Sequence, residues 1–94
     1  MIRSYRDKDT ERLADGEKVR RWESFFHQAE KRLRILDAAT SLFDLGRLNS
    51  NRLESLSGGR KGQHSIRINE QWRVCFEWPK DEPGPSNVEI VDYH

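Results

Sequence analysis

The sequence predicts an α+β domain in which an N-terminal strand and helices pack on one face of a mainly antiparallel sheet. Three observations carry that prediction. Apolar residues recur at spacings of three and four from Val19 to Thr40, the stripe of an amphipathic helix. After Gly46 the period falls to two in "HSIRI", "WRVCFEW" and "VEIVDYH", as in half-buried strands. Helices followed by a run of strands form a helix layer against one face of a sheet.

Taken in order, "MIRSY" alternates apolar and polar residues and predicts a short first strand. "RDKDTERLADG" predicts a short helix or a mobile turn ending near Gly16. In the segment from Val19 to Thr40 the stripe is Trp22, Phe25, Phe26, Ala29, Leu33, Leu36 and Ala39. These are core positions rather than a ligand site. Arg20, Glu23, Glu30, Arg34 and Asp37 occupy the other face, where Glu30 and Arg34 are spaced for an i,i+4 ion pair. "SLFDLG" adds one more helical turn, stopped by Gly46. "NRLESL" predicts a strand and "SGGRKGQ" a basic, glycine-rich loop. "HSIRI" and "WRVCFEW" follow as strands, "PKDEPGPSN" as a loop, and "VEIVDYH" as the last strand.

A length of 94 residues fits one domain, spanning residues 1–94, near the lower size at which a hydrophobic core alone suffices. Low apolar content and high charge point toward disorder, but three Trp, four Phe and two Tyr are core-formers that disordered chains lack. The charged start lacks the apolar run of a signal peptide, and no stretch is long enough to span a bilayer, so the expectation is a soluble, cytoplasmic protein without a membrane partner. Cys75, the sole cysteine, lies in an apolar strand pattern and reads as a buried, inert thiol. Net charge is only +1, yet Arg47, Arg52, Arg60, Lys61, Arg67 and Arg73 face only Glu54 and Glu70 between Arg47 and Cys75. A local basic patch matters more to a phosphate backbone than the total does.

The hairpin around Asn69, Glu70 and Gln71 can be read by parity. Ile66 and Ile68 share the core face with Trp72, Val74 and Phe76 only if the loop holds an odd number of residues, and three fits best. Pairing Ile68 with Trp72 then sets Arg67 opposite Arg73 on the other face. Facing like charges are unfavourable unless an anion lies between them or Glu77, Glu54 or Asp92 neutralises them. If the last strand lies alongside, Asp92 and His94 can move protons, Tyr93 offers a ring and a hydroxyl, and the guanidiniums suit phosphate oxygens. In a regular strand Asp92 and His94 share a face and Tyr93 takes the other. RNA carries its own nucleophile, a 2′-hydroxyl, so base, acid and cation suffice without a metal or other cofactor. His27, His64 and His94 lack metal-ligand spacing. The "SGGRKG" turn could also cradle phosphate through backbone amides.

"NRLESLSGGRKGQHSIRINEQWRVCFEW" together with "VEIVDYH" resembles the HigB-type toxins of the RelE superfamily, over nearly the whole chain. The resemblance implies a microbial-RNase-like fold and a toxin of a type II toxin-antitoxin system. It implies an endoribonuclease that cuts messenger RNA in the ribosomal A site, restrained by a helix-turn-helix antitoxin through which it touches operator DNA only indirectly. It places the catalytic trio on Asp92, Tyr93 and His94 and the transition-state arginine on Arg73. Glu54 stands where many members have a catalytic His, and Ser57 where they have a Lys, so Glu54 becomes the candidate base and phosphate stabilisation is expected to weaken. Gln71 stands where related chains often have Asn. Arg60, Lys61, Arg67 and Gln71 are the candidate RNA-binding residues. Loss of the usual His and Lys also leaves a second reading, a weakly catalytic or non-catalytic corepressor of the antitoxin.

Overall fold

The computed structural model describes residues 1–92; the expectations for Tyr93 and His94 lie outside the described residues. Helix α1, Lys8–Ala14, starts where the Asp7 carboxylate accepts the Thr10 amide at 2.6 Å, and Gly16 at φ +92° turns the chain after it. The apolar stripe predicted as one helix is two pieces. A 3-10 helix, Arg20–Phe25, precedes α2, Phe26–Ala38. The reason lies in Trp22 and Phe25, because three residues make a full 3-10 turn and bring both rings to one side. Both meet Trp72, with ring centroids 6.4 and 5.2 Å away. Helix α2 buries Phe26, Ala29, Leu33 and Leu36, while Glu30 and Arg34 pair at 3.0 Å outside.

Helix α3, Leu42–Arg47, is capped by Ser41, whose hydroxyl accepts from the Asp44 amide. Gly46 does not stop it but lies within it, packed toward Leu53. The predicted strand "NRLESL" shrinks to β1, Glu54–Ser55, because Asn49–Asn51 form a 3-10 turn and Arg52 takes a left-handed conformation at φ 47°. Asn51 secures that turn: fully buried, it donates to the Leu45 carbonyl at 3.0 Å and accepts from Arg32 at 2.8 Å.

Strands β2, Gln63–Arg67, β3, Trp72–Glu77, and β4, Ser86–Asp92, complete an antiparallel sheet in the order β1-β2-β3-β4. The three-residue loop is present, with Asn69 Oδ1 accepting from the amides of Gln71 and Trp72 at 2.9 and 2.8 Å. Arg67 therefore faces Arg73, as parity requires. The register of β3 and β4 slips between Cys75 and Glu77, and Asn87, at φ 51°, supplies the extra residue. That irregularity explains why "MIRSY" is no strand. The segment runs parallel to β4, but only Tyr5 and Val88 make a bridge, and Arg3 bonds instead to the Pro85 carbonyl.

Ile66, Val74, Phe76, Val88 and Ile90 join the helical residues in one buried cluster. The alternate residues Ser65, Arg67, Arg73 and Cys75 point to the other face of the sheet. No helix among the described residues is long and apolar enough to cross a membrane.

Candidate active site

Arg73 projects from the middle of β3 on the face opposite the helices, and it is only 8% exposed. A buried guanidinium needs acceptors for its donors. Ser65 Oγ accepts from Arg73 Nε at 2.7 Å, and the Arg52 carbonyl accepts from one terminal nitrogen. The left-handed Arg52 follows from the tight turn before β1 and aims that carbonyl at Arg73. Glu54 reaches the same guanidinium at 3.5 Å, but its side chain is 53% exposed, so the pair is a loose one at the rim. Arg73 thus has its orientation set by neutral groups, with its charge only partly answered.

The hollow in front of it, about 390 Å³, is lined by Arg52, Glu54, Arg67, Asn69, Glu70 and Arg73. It runs into a second hollow of about 400 Å³, where Gln28 and Arg32 of α2 join Arg52, Arg67, Asn69 and Glu70. The two together hold four guanidiniums, Arg32, Arg52, Arg67 and Arg73, and two carboxylates, Glu54 and Glu70. Among the described residues, only Arg73 of the four makes an ion pair. Burial and the neighbouring Arg67 pull the pKa of Arg32 below its usual value. A larger hollow, about 590 Å³, lies beyond Arg52 among Gly46, Leu48 and Leu53, with no acid, base or nucleophile beyond hydroxyls and amides.

The expected site residues divide between two places. Arg73, Glu54 and Arg67 come together at the cleft. Arg60 shares their face of the sheet but is spent across it, donating to Gln63 at 2.9 Å and pairing with Glu89 at 3.4 Å. With Arg6, which meets Glu89 at 2.7 Å, it closes over Cys75, whose thiol burial pushes up to about 11. Cys75 is thus buried, as its strand pattern suggests. Lys61 and Ser57 are exposed on the loop that carries Arg60. Asp92 lies elsewhere: it pairs with Trp72 across the strands, on the helix-side face, and accepts from Gln71 Nε2 at 2.9 Å. Gln71 and Asp92 therefore form one unit at the end of the sheet, and the described residues do not place them against Arg73.

Arg32, Arg52, Ser65 and Asn69 complete the site without having been expected as part of it. Arg52 was visible only as one charge of a basic stretch. For Arg32 the sequence offers no signal, since it sits on a helix whose polar face looks ordinarily solvated.

A four-stranded antiparallel sheet with helices on one face is an α+β arrangement consistent with the RelE-like toxin fold. The chain belongs to the family described as "RelE-like toxin of type II toxin-antitoxin system HigB", whose sequence profile matches residues 3–94. An antitoxin partner comes with that membership. The chain is 38% identical over 80 residues to "Toxin HigB-1" of Vibrio cholerae serotype O1, a match covering 83% of this chain and 84% of that protein. It is 35% identical over 63 residues to "Endoribonuclease HigB" of Proteus vulgaris, covering 67% of this chain and 65% of that protein.

Proposed function

We propose that this toxin is an endoribonuclease that cleaves messenger RNA in the ribosomal A site, through attack of the RNA's own 2′-hydroxyl. One observation carries the reading: a guanidinium fixed by Ser65 and Arg52, with a carboxylate 3.5 Å away, at the mouth of a cleft whose other guanidiniums make no ion pair among the described residues. The Proteus vulgaris relative, named an endoribonuclease, supports it.

In this mechanism Glu54 takes the proton of the 2′-hydroxyl. The 2′-oxygen bonds to the adjacent phosphorus, the bond to the 5′-oxygen breaks, and the ends become a 2′,3′-cyclic phosphate and a 5′-hydroxyl. Arg73 holds the extra negative charge of the five-coordinate phosphorus. A donor already aimed at that charge needs no reorganisation during the reaction. His94 protonates the leaving 5′-oxygen and Tyr93 stacks on a base or orients the phosphate. Asp92, which accepts from Gln71 on the helix-side face, shares the acid and base work with His94 and Glu54. Arg67 holds substrate phosphate, with Lys61 at the rim; Arg60, tied to Glu89, shapes the loop. The partner is a helix-turn-helix antitoxin, through which the toxin acts on operator DNA, and the setting is the cytoplasm.

Primer extension on ribosome-bound transcripts tests the reading. New 5′ ends are expected with the natural transcript, and none at a site where the preceding nucleotide is 2′-deoxy. Absence of ends from the natural transcript would leave the corepressor reading. Ends that persist at the deoxy site would overturn the 2′-hydroxyl route.

A further inference from the structure

Arg32 and Arg67 come from different elements, α2 and β2, and converge on the hollow of about 400 Å³ beside the Arg73 cleft. Neither makes an ion pair among the described residues. Arg32 is held in place by neutral acceptors only, Asn51 Oδ1 at 2.8 Å and Ser50 Oγ at 3.3 Å. Asn51 is itself fully buried and anchored to the Leu45 carbonyl, so the Arg32 head is held by a built support rather than loose on the surface. Two converging guanidiniums repel, and among the described residues Glu70 alone supplies a carboxylate in that hollow. A missing anion would complete the arrangement.

We propose that Arg32 and Arg67 form a second phosphodiester subsite, which grips an RNA backbone phosphate next to the one at Arg73. The proposal deepens the RNA-cleaving reading and rests on it. Because the two hollows share Arg52, Arg67, Asn69 and Glu70, a strand leaving Arg73 can cross Arg67 to reach Arg32, with Arg52 and Arg67 outweighing the single Glu70 carboxylate on the way. Gln28, exposed on the preceding turn of α2, offers an amide to whatever base or sugar accompanies that phosphate. The chemistry suits a phosphate of the messenger strand or of ribosomal RNA, and the test separates them.

Binding of an uncleavable 2′-O-methyl RNA hexanucleotide is measured by fluorescence anisotropy across a salt series for the full chain. Cosedimentation with ribosomes gives the second arm. Arg32→Gln should weaken binding about tenfold. It should also reduce the slope of log affinity against log salt by roughly 0.7, the share of one single-strand phosphate. Arg32→Lys should keep most of the slope, and Arg34→Gln, on the exposed face, should change neither quantity. Loss on the hexanucleotide assigns the phosphate to the messenger strand. Loss confined to ribosomes assigns it to ribosomal RNA, and either result upholds the subsite. If Arg32→Gln fails to fold, Gln28→Glu, which sets a carboxylate in the second hollow alone at an exposed position, should weaken binding in the same arm. Unchanged affinity and slope in both arms would overturn the proposal. Since neither arm reads cleavage, that failure would leave the role of Arg73 standing.

Discussion

Arg73 is oriented by neutral acceptors of two residues, Ser65 and Arg52, and the value of that arrangement lies in what it leaves unused. A buried carboxylate partner would hold the guanidinium as firmly but would cancel the charge that a phosphorane needs. Ser65 is the more testable of the two residues, being fully buried with its hydroxyl on Arg73 Nε. Ser65→Ala should lower the single-turnover cleavage rate about tenfold with little change in transcript affinity. Ser65→Thr, which restores the hydroxyl, should recover much of the loss. A fall in affinity alone would assign Ser65 to binding instead. His64 gives a separate, pH-dependent prediction. Burial holds its pKa below the usual 6.5, so the unfolded chain takes up the proton more readily than the folded one. Its contribution is therefore complete above about 6.5 and is lost as pH falls through the window beneath that value. Thermal melts of His64→Gln should show a shallower acid limb there than the parent protein; an unchanged limb would contradict this. At this scale the facing of Arg67 and Arg73 was legible because strand alternation is strict. Ser65, Arg52 and Arg32 were not, because their roles depend on which groups a left-handed turn and a distant helix bring within reach.

Elements differ in how faithfully their patterns announced them. Strands β2, β3 and β4 follow their alternation closely, and α2 follows its stripe. The 3-10 start of that helix was hidden, since Trp22 and Phe25 fit a spacing of three in either helix type and only the Trp72 ring between them decides. The N-terminal segment misled for another reason: its alternation is real, but Asn87 breaks the ladder it would have joined. What it does instead is cover the outer edge of β4, with Val88 donating to the Ser4 carbonyl, and α1 continues the cover where Ile90 donates to Thr10 Oγ1. Exposed strand edges invite pairing with other chains, so this cover protects the sheet. Gly84 makes the close approach feasible, because an added Cβ there would run into the Met1 carbonyl. Gly84→Ala should lift the segment and speed hydrogen exchange at Arg3 and Val88, while exchange at Ile66 in the sheet interior stays slow. Equal exchange in variant and parent would show that the cover does not depend on that contact. In the α3 corner, Asn51→Ala should cost about 2 kcal/mol, read by urea denaturation, because it leaves the Leu45 carbonyl without its side-chain donor and Arg32 with only the longer bond to Ser50 Oγ.

Across the whole molecule, a net charge of +1 conceals a division of labour. Carboxylates and guanidiniums cancel along the β4 edge, where Arg3 pairs with Glu82 and Arg6 with Glu77 and Glu89. They do not cancel in the cleft. The sequence showed the imbalance as a basic stretch but not its shape, which needs α2 and the β2–β3 turn to meet. A single domain is our proposal for residues 1–94, and it predicts that tryptophan fluorescence and far-ultraviolet circular dichroism report one coincident urea transition. Two separated transitions would refute it. The central claim is that Arg73 carries the chemistry, and the most direct test is the single-turnover cleavage rate of a ribosome-bound transcript by Arg73→Lys. Lysine keeps the charge but loses the planar fork that Ser65 and Arg52 hold. The rate should fall by about 10²–10³-fold while transcript binding and the urea midpoint stay close to those of the parent. A folded Arg73→Lys variant that cuts at the parental rate would contradict the account.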